Sequence, residues 1–428
     1  MRIFAARRTA VLIVCAAAVL PRLVVLLHER GAILSSFVEK SDIFAREFIA
    51  SGTYGFVPGV PSAYTQPLYG WFLIVIYRVA DRSWAAIGLA QIGVACATAL
   101  VVLEIGRRYL SPRAGLLGAL IATLNPYLIW HDVHVNREIL DQLAAAAMFL
   151  LALAAARSHS LLPTAALGGF CGAAILGNGR LTALPVALGL FVVWGLPLRR
   201  AALLGTVLLG CTVVVLAPWL IRNKEQVGCL TLTTDAHALW KANNVNTYST
   251  LAHGGWIDDV PPLPGHSPIT PEYEYAFWHN DHRIVRVNEC AQMRLYRHET
   301  IEFWRHHPGE KLKLMVQATR MLWQPEQTLT EGGPPTSFAR RWAEAVWTVP
   351  IYILALIGLA LAPRRFAALA AIFVGYETLA AWVFAGSTRY RVAFDFVLAL
   401  LAAAALDRLA SSRRYTAATP STAASTPN

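Results

Sequence analysis

Charged residues are scarce in this sequence. Asp, Glu, Lys and Arg make up 15% of 428 residues, whereas hydrophobic residues make up 56% and the mean hydropathy is +0.46. This balance excludes a soluble or a disordered chain and indicates a polytopic membrane protein. The sequence also has no CxxC, HExxH or Cys/His cluster, no Walker loop and no GxGxxG. Nothing in it therefore indicates a structural metal or a bound nucleotide.

The formal net charge of +11 does not indicate a nucleic-acid partner. Many of the Lys and Arg residues stand in short clusters between hydrophobic runs, as expected when cytoplasmic loops carry the positive excess. All of these clusters fall on one side if the segment Gln66–Ala80, too short to cross, is an interfacial or re-entrant helix. The first hydrophobic run resembles a signal peptide, but without a small-x-small site it is interpreted as an uncleaved span. The predicted spans are 9–27, 84–105, 114–130, 139–156, 161–177, 181–197, 201–221, 343–361, 366–385 and 392–409.

We therefore predict an all-α polytopic membrane protein of about ten transmembrane helices with a small extracytoplasmic cap of α or mixed structure. Both termini are expected to be cytoplasmic. The predicted parts are an N-terminal transmembrane module (1–221, first external loop 28–83), an external insert (222–342), C-terminal helices (343–410) and a disordered tail (411–428). Helices are predicted in the insert over Ile284–His307 and, amphipathic, over Glu310–Trp323.

The external insert contains two of the six cysteines, Cys229 and Cys290. In an oxidising compartment these two thiols can form one disulfide, but the sequence does not show that they meet. The pairing stays open at this point. The other four cysteines lie in predicted spans and are interpreted as small apolar side chains.

The stretch SDIFAREFIASGTYGF follows the first span and places Asp42 and Arg46 on one face of a helix, four residues apart. One interpretation of this pattern is an interfacial helix with solvated charges. The other is that the helix supplies half of an active site, in which Asp42 is expected to be half-exposed. A second external acid, Glu138, begins a helix after HDVHVNR. A structural explanation for Glu138 is that the helix macrodipole favours an acid there.

Three arginines are predicted at the outer ends of helices: Arg180 in NGR, and Arg389 and Arg391 in STRYR. Each of them alone can be explained as a contact with lipid phosphate. Together they oppose the positive-inside bias and require a local anionic partner. Acids and guanidinium groups on one membrane face fit transfer of a group from a phosphate carrier, which in a membrane is a polyprenyl-phosphate sugar.

In order along the chain, SDIFAREFIASGTYGF, PSAYTQPLYGWFLIVIYRV, LNPYLIWHDVHVNREIL, NGRLTALPVALGL, PWLIRNKEQVGCLTLTT and STRYR resemble the bacterial GT-C glycosyltransferases. The likeness is to family 39, the protein-O-mannosyltransferase-like branch, with the aminoarabinose transferases of lipid A. Two positions depart from the family pattern: Arg46 stands where a tyrosine is common, and Gln66 where a second proline is common.

The resemblance implies an inverting transfer on the extracytoplasmic face of a bacterial inner membrane, with polyprenyl phosphate leaving. Asp42 and Glu138 are then the catalytic acids, with Asp42 as the base. Arg46, Arg180, Arg389 and Arg391 are the candidates for binding the donor phosphate. The acceptor would be a lipid, a glycan or a protein. Some relatives use a divalent metal beside the first acid, so carboxylate ligation of a metal stays open.

Two other classes of function compete with this interpretation. A transporter or flippase of a lipid-linked or anionic solute would also gather ionisable groups. Against it, few charges lie in the middle of a span, Glu377 being the main exception, and no inverted repeat is visible. A membrane scaffold whose cap binds a partner leaves the outer arginines unexplained.

Overall fold

The computed structural model describes residues 2–36, 38–261, 263, 276–278, 284–286, 288–326 and 338–417. Over these residues the regular secondary structure is helical apart from two three-residue strands. Six helices are long and apolar enough to cross a membrane, so the expected multi-pass membrane protein is confirmed. They are Arg7–His28, Trp84–Tyr109, Glu138–Ser158, Leu198–Gln226, Trp342–Leu361 and Arg364–Val383.

The helices are numbered in chain order. Those before the insert are α1 (Arg2–Glu29), α2 (Ser41–Ser51), α3 (Pro67–Ala80), α4 (Trp84–Tyr109), α5 (Pro112–Thr123), α6 (Pro126–His131), α7 (Glu138–Ser158), α8 (Leu161–Gly177), α9 (Leu184–Val193) and α10 (Leu198–Gln226). Those that follow are α11 (His237–Lys241), α12 (Thr247–Ala252), α13 (Glu289–His306), α14 (Pro308–Trp323), α15 (Phe338–Leu361), α16 (Arg364–Val383), α17 (Thr388–Arg391) and α18 (Asp395–Ala417). Short 3₁₀ turns occur at Gly179–Leu181 and Ile257–Asp259.

Each of the ten predicted spans falls on helical chain, but two are interrupted. The segment 114–130 is divided between α5 and α6, because Pro126 starts a new helix and the Asn125 side chain accepts hydrogen bonds from the amides of Tyr127 and Leu128. The segment 181–197 holds only the ten residues of α9 after a 3₁₀ turn. The number of spans therefore stays a prediction.

The boundaries around the outer face follow ordinary capping rules. Helix α2 ends at Gly52, whose φ of +78° is unfavourable for other residues. Helix α3 starts with Pro67 at its first position. Helix α4 begins after Ser83, whose side chain accepts from the Ala86 amide. These signals put two short helices, α2 and α3, between the longer α1 and α4.

The insert contains α11 to α14 and one β-hairpin. Strand β1 (Ala276–Trp278) pairs antiparallel with β2 (Ile284–Arg286), Phe277 opposite Val285. The helix predicted from Ile284 is therefore wrong over its first residues: α13 begins at Glu289, where Asn288 caps it by accepting from the Ala291 amide. Helix α14 confirms the second predicted helix. Most of the proline-rich stretch 261–271 lies outside the described residues.

Cys229 and Cys290 form a disulfide, which settles the pairing that the sequence left open. Beside it, the carboxylate of Glu289 accepts hydrogen bonds from the Ala63 amide (3.1 Å) and the Thr234 hydroxyl (2.8 Å). The Thr234 amide in turn donates to the Ala63 carbonyl at 2.9 Å. The insert is thus joined to the first outer loop, more than 150 residues earlier in the chain.

A buried ion pair fixes the turn between α6 and α7. The Arg22 guanidinium contacts Asp132 Oδ2 at 2.8 Å and donates to the Thr123 carbonyl at 3.0 Å. Asp132 Oδ1 accepts from Gln142 at 2.7 Å. Gln91 donates to the carbonyls of Asp132 and His134. Because this network is buried and paired, the start of α7 is held in one position.

At the C-terminal end, α18 continues to Ala417, seven residues into the tail predicted from residue 411. Residues 418–428 lie outside the described residues.

Candidate functional site

Asp42 lies in the first turn of α2 and is only 1% exposed, not half-exposed as the sequence suggested. Its carboxylate accepts from the Tyr77 hydroxyl at 2.5 Å and from Arg82 Nε and Nη2 at 2.8 and 2.9 Å. Arg46 contacts the same carboxylate at 3.2 Å, with a side chain that is 53% exposed. The Asp42 carboxylate is thus bound by two hydrogen bonds from Arg82 and contacted at a longer distance by the more exposed Arg46.

Glu138, the second predicted acid, is buried at the start of α7. Arg389 donates two hydrogen bonds to its carboxylate, from Nε at 2.5 Å and from Nη2 at 3.1 Å. Burial alone would lower the pKa of Arg389, but the Glu138 carboxylate raises it well above its ordinary value. The structure therefore joins two predicted residues that are 251 positions apart as a bidentate pair.

Glu39 connects the Asp42 and Glu138 regions. Its amide donates to the Val135 carbonyl at 3.0 Å, and its own carbonyl accepts from the Asp42 amide at 3.0 Å. One carboxylate oxygen lies 3.7 Å from Arg137 Nε, and Arg137 Nε lies 4.0 Å from Glu138 Oε1. The two predicted acids thus belong to one continuous group of charged residues.

A cavity of about 350 Å³ adjoins this group at Arg137, whereas Asp42, Glu39 and Glu138 are not among its described lining residues. Its wall combines residues of the first outer loop and the transmembrane helices with residues of the insert. Its polar lining includes Gln66, Arg137, Asn178, Arg180, Thr231, Thr233, Asp235, Arg297 and Tyr390. A concave site with a few convergent polar groups is the usual form of a small-molecule site.

Arg180 is the predicted phosphate ligand that lines this cavity. Its guanidinium lies 3.9 Å from the centre of the Tyr390 ring and donates to the Ala385 carbonyl at 2.9 Å. Within the described residues, no carboxylate oxygen lies within 4.0 Å of it. Burial lowers its pKa, which is the cost of a cation held without an anion.

The other three predicted arginines contact carboxylates and are absent from the lining of this cavity. Arg46 contacts Asp42, and Arg389 binds Glu138. Arg391 is 2% exposed, pairs with Asp395 at 3.2 Å, and donates to the carbonyls at the end of α14. The structure thus places Arg389 and Arg391 in different surroundings although they are two residues apart.

Sequence reasoning did not select Glu39, Tyr77, Arg82 or Arg137 as site residues. Arg82 follows the short helix α3, and its role depends on α3 returning to α2, which local patterns do not specify. Glu39 and Arg137 could have been selected from the sequence. Each is an ionisable residue in a predicted outer segment and lies within three residues of a selected acid.

The carboxylates that the sequence offered for a divalent cation do not fit that role in this arrangement. Asp42 is engaged by two guanidinium groups and a hydroxyl, and Glu138 is engaged by Arg389. Hard cations require several free oxygen ligands around one point. Across the described part of the chain, no three His, Cys, Asp or Glu side chains come together as a ligand set.

The fold is similar to that of solved membrane glycosyltransferases. The oligosaccharyltransferase AglB from Archaeoglobus fulgidus, in complex with an inhibitory peptide and a dolichol-phosphate, superimposes with a TM-score of 0.55 at 12% identity, covering 98% of this chain and 53% of AglB. The apo form of the Archaeoglobus fulgidus oligosaccharyltransferase gives 0.53 at 12% identity, covering 95% and 52%. This chain spans about half the length of those enzymes. A weaker likeness, with a TM-score of 0.42 at 17% identity, is to ArnT from Cupriavidus metallidurans bound to undecaprenyl phosphate, covering 95% of this chain and 79% of that one.

The chain therefore has a fold like that of these GT-C enzymes, and the predicted resemblance to them is confirmed. Within it, residues 61–221 match the dolichyl-phosphate-mannose-protein mannosyltransferase family. No curated protein matches the sequence.

Proposed function

We propose that the protein is an inverting glycosyltransferase that moves a sugar from a polyprenyl-phosphate donor to an acceptor on the extracytoplasmic face of a bacterial inner membrane. The observation that carries the proposal is Arg180, a desolvated guanidinium that lines a 350 Å³ cavity without a carboxylate partner in the described residues. A phosphate group supplies the missing anion and accepts bidentate hydrogen bonds from the planar fork. The family match of residues 61–221 and the GT-C fold support the choice of a sugar phosphate.

In the proposed reaction, the acceptor hydroxyl attacks the anomeric carbon from the face opposite the phosphate. The bond between that carbon and the phosphate oxygen breaks, polyprenyl phosphate leaves with the electron pair, and the hydroxyl proton passes to Asp42. Arg46 is the contact that the acceptor hydroxyl displaces, because it is exposed and the longest of the interactions at Asp42. Arg180 stabilises the charge that develops on the leaving phosphate.

Glu138 keeps Arg389 ionised and in position at the edge of the site, and Arg391 anchors α17 to the end of α14. We propose these as supporting roles for Arg389 and Arg391, with Arg180 as the direct phosphate ligand among the four predicted arginines.

The reaction requires the cavity to face outward. We propose ten spans with both ends cytoplasmic and residues 222–342 external, grouped as 1–221, 222–342 and 343–410 with a C-terminal tail. Alkaline phosphatase fused at Arg108 should be inactive, and the same enzyme fused at His253 should be active. Activity at Arg108, or none at His253, contradicts this topology.

The function is tested in membranes that contain equal amounts of wild type and Arg180→Ala, supplied with labelled polyprenyl-phosphate sugars. Wild type should convert donor to a new glycoconjugate, with free polyprenyl phosphate released in equal amount. Mass spectrometry of envelope glycans and lipids, with and without the protein, then identifies the product. Movement of the donor across the membrane with no covalent product would support the transporter alternative instead.

A further inference from the structure

Arg137 is a cavity-lining arginine that its neighbouring carboxylates hold only loosely. Its Nε lies 3.7 Å from Glu39 and 4.0 Å from Glu138, beyond hydrogen-bond distance of both carboxylates. Its Nη1 donates to the neutral amide oxygen of Gln66 at 3.0 Å. By contrast, Arg82 and Arg389 make direct hydrogen bonds to their carboxylates. Arg137 therefore has two anions nearby but no charge-assisted hydrogen bond to either.

Arg137 and Glu39 each have one buried polar atom without a hydrogen-bond partner. Arg137 Nε and Glu39 Oε2 are buried and have no hydrogen-bond partner. Leaving a buried polar atom unpaired costs about 1–3 kcal/mol, so such atoms in a native structure need an explanation. Here the explanation is available, because Arg137 lines the same cavity as Arg180.

We propose that Arg137 binds the anionic phosphate of the substrate and that Glu39 is its resting counter-ion, which the phosphate displaces. The inference rests on the proposed function in taking that phosphate to be the donor's. Phosphate oxygens accept from Nε and the Nη groups at hydrogen-bond distance, which Glu39 at 3.7 Å does not. Glu138 does not compete for Arg137, because Arg389 already binds it.

Gln66 holds the Arg137 side chain at the wall of the cavity. Here the Gln66 amide oxygen holds Nη1, so the guanidinium stays at the cavity wall when Glu39 is displaced.

Binding of phosphate to Arg137 should change the pKa of the Glu39 carboxyl. Burial raises the pKa of the Glu39 carboxyl; Arg137 and Arg389 lower it, and Glu138 raises it. The phenol groups of Tyr54 and Tyr69 also interact electrostatically with Glu39. When phosphate binds Arg137, Glu39 loses the cation that most lowers its pKa, so its carboxyl binds a proton more readily.

Phosphate binding and protonation of Glu39 therefore favour each other. As pH falls through the raised pKa of Glu39, the protein's affinity for phosphate should rise. The phosphate group itself, which has a second pKa of about 6, loses charge in the same direction. That effect is common to all variants, so the difference between wild type and Glu39→Gln isolates the contribution of Glu39.

The test measures binding of undecaprenyl phosphate to the purified full-length protein in lipid nanodiscs between pH 5.5 and 8. Arg137→Gln should weaken binding by roughly 10- to 100-fold, the range expected for a lost charge-assisted hydrogen bond. Glu39→Gln should tighten binding several-fold at pH 8 and remove its part of the pH dependence. In the Arg137→Gln background, Glu39→Gln should have no further effect. Glu47→Gln, in the helix α2 that follows Glu39 and with a side chain bonded only to Ser51 among the described contacts, is the control and should behave as wild type.

Three results overturn the inference: normal binding by Arg137→Gln, weaker binding by Glu39→Gln, or an effect of Glu39→Gln that persists without Arg137. Thermal unfolding of each variant identifies a folding defect, and Arg137→Lys, expected to bind with intermediate affinity, replaces Arg137→Gln if that variant is unstable. Inorganic pyrophosphate is titrated in parallel. If wild type binds pyrophosphate with this mutational pattern but not undecaprenyl phosphate, the inference stands and the lipid carrier of the proposed function fails. If it binds neither probe, both fail.

Discussion

The replacement Asp42→Asn separates a catalytic role of Asp42 from a structural one. Asparagine has nearly the same shape but no charge, so it accepts a proton poorly. A general base typically contributes about 10²–10⁴-fold, and transfer per folded molecule should fall by that order. Each tenfold loss corresponds to about 1.4 kcal/mol of activation barrier.

The structure adds a second effect that the sequence did not suggest. Asp42 is 1% exposed and accepts two hydrogen bonds from Arg82. Removing the charge leaves Arg82, which is 29% exposed, without its anion. Weakening one charge-assisted hydrogen bond costs about 1.5–3 kcal/mol, so the amount of folded protein should also decrease.

Arg82→Gln is the matched control, because it removes the same ion pair and keeps the carboxylate. Both variants should lose a similar amount of thermal stability, measured by fluorescence-detected size-exclusion after heating. Transfer from a polyprenyl-phosphate sugar, normalised to folded protein, should fall far more in Asp42→Asn. Equal activity per folded molecule in the two variants would refute the assignment of Asp42 as the base.

The other predictions concern the phosphate ligand, the buried ion pair and the disulfide. Arg180→Lys keeps the charge but loses the planar fork, so donor turnover should fall about tenfold or more while membrane insertion is normal; full activity would make Arg180 a structural cation over Tyr390. Glu138→Gln and Arg389→Gln should each destabilise the protein by roughly 3–5 kcal/mol, because each leaves a buried charge, and the double variant should unfold at a higher temperature than either single one; additive losses in a thermal-shift assay would count against a direct pair. Reduction of Cys229–Cys290, or replacement of both by serine, should expose the insert to limited proteolysis and lower the unfolding temperature, whereas identical digestion patterns would contradict a stabilising role.

The sequence predicted well those features that depend on local patterns. Hydrophobic length located the long helices, whereas the break at Asn125 and Pro126 was not predicted, because 114–130 was expected to be one span. That Asp42, Glu138 and the outer arginines share one membrane face stays a prediction from the positive-inside rule.

Pairing across the chain was not predictable in this way. Arg389 and Arg391 are identical residue types in the same short helix, yet one binds Glu138 and the other binds Asp395 and the carbonyls of α14. The side on which each points depends on the packing of distant helices. For the same reason the sequence could not show that Arg82 would donate hydrogen bonds to Asp42 or that Asp42 would be buried.

The link between Glu289 and Ala63 has a consequence for how the protein is made. In the proposed topology, the first outer loop crosses the membrane during synthesis long before the segment that carries Thr234, Cys229 and Cys290. One wall of the cavity comes from the early segment and the other from the late one. In that topology the cavity can therefore form only after the insert has been exported. In the proposed function, a nascent chain still emerging from the translocation machinery has no complete cavity, so it would not consume lipid-linked sugar.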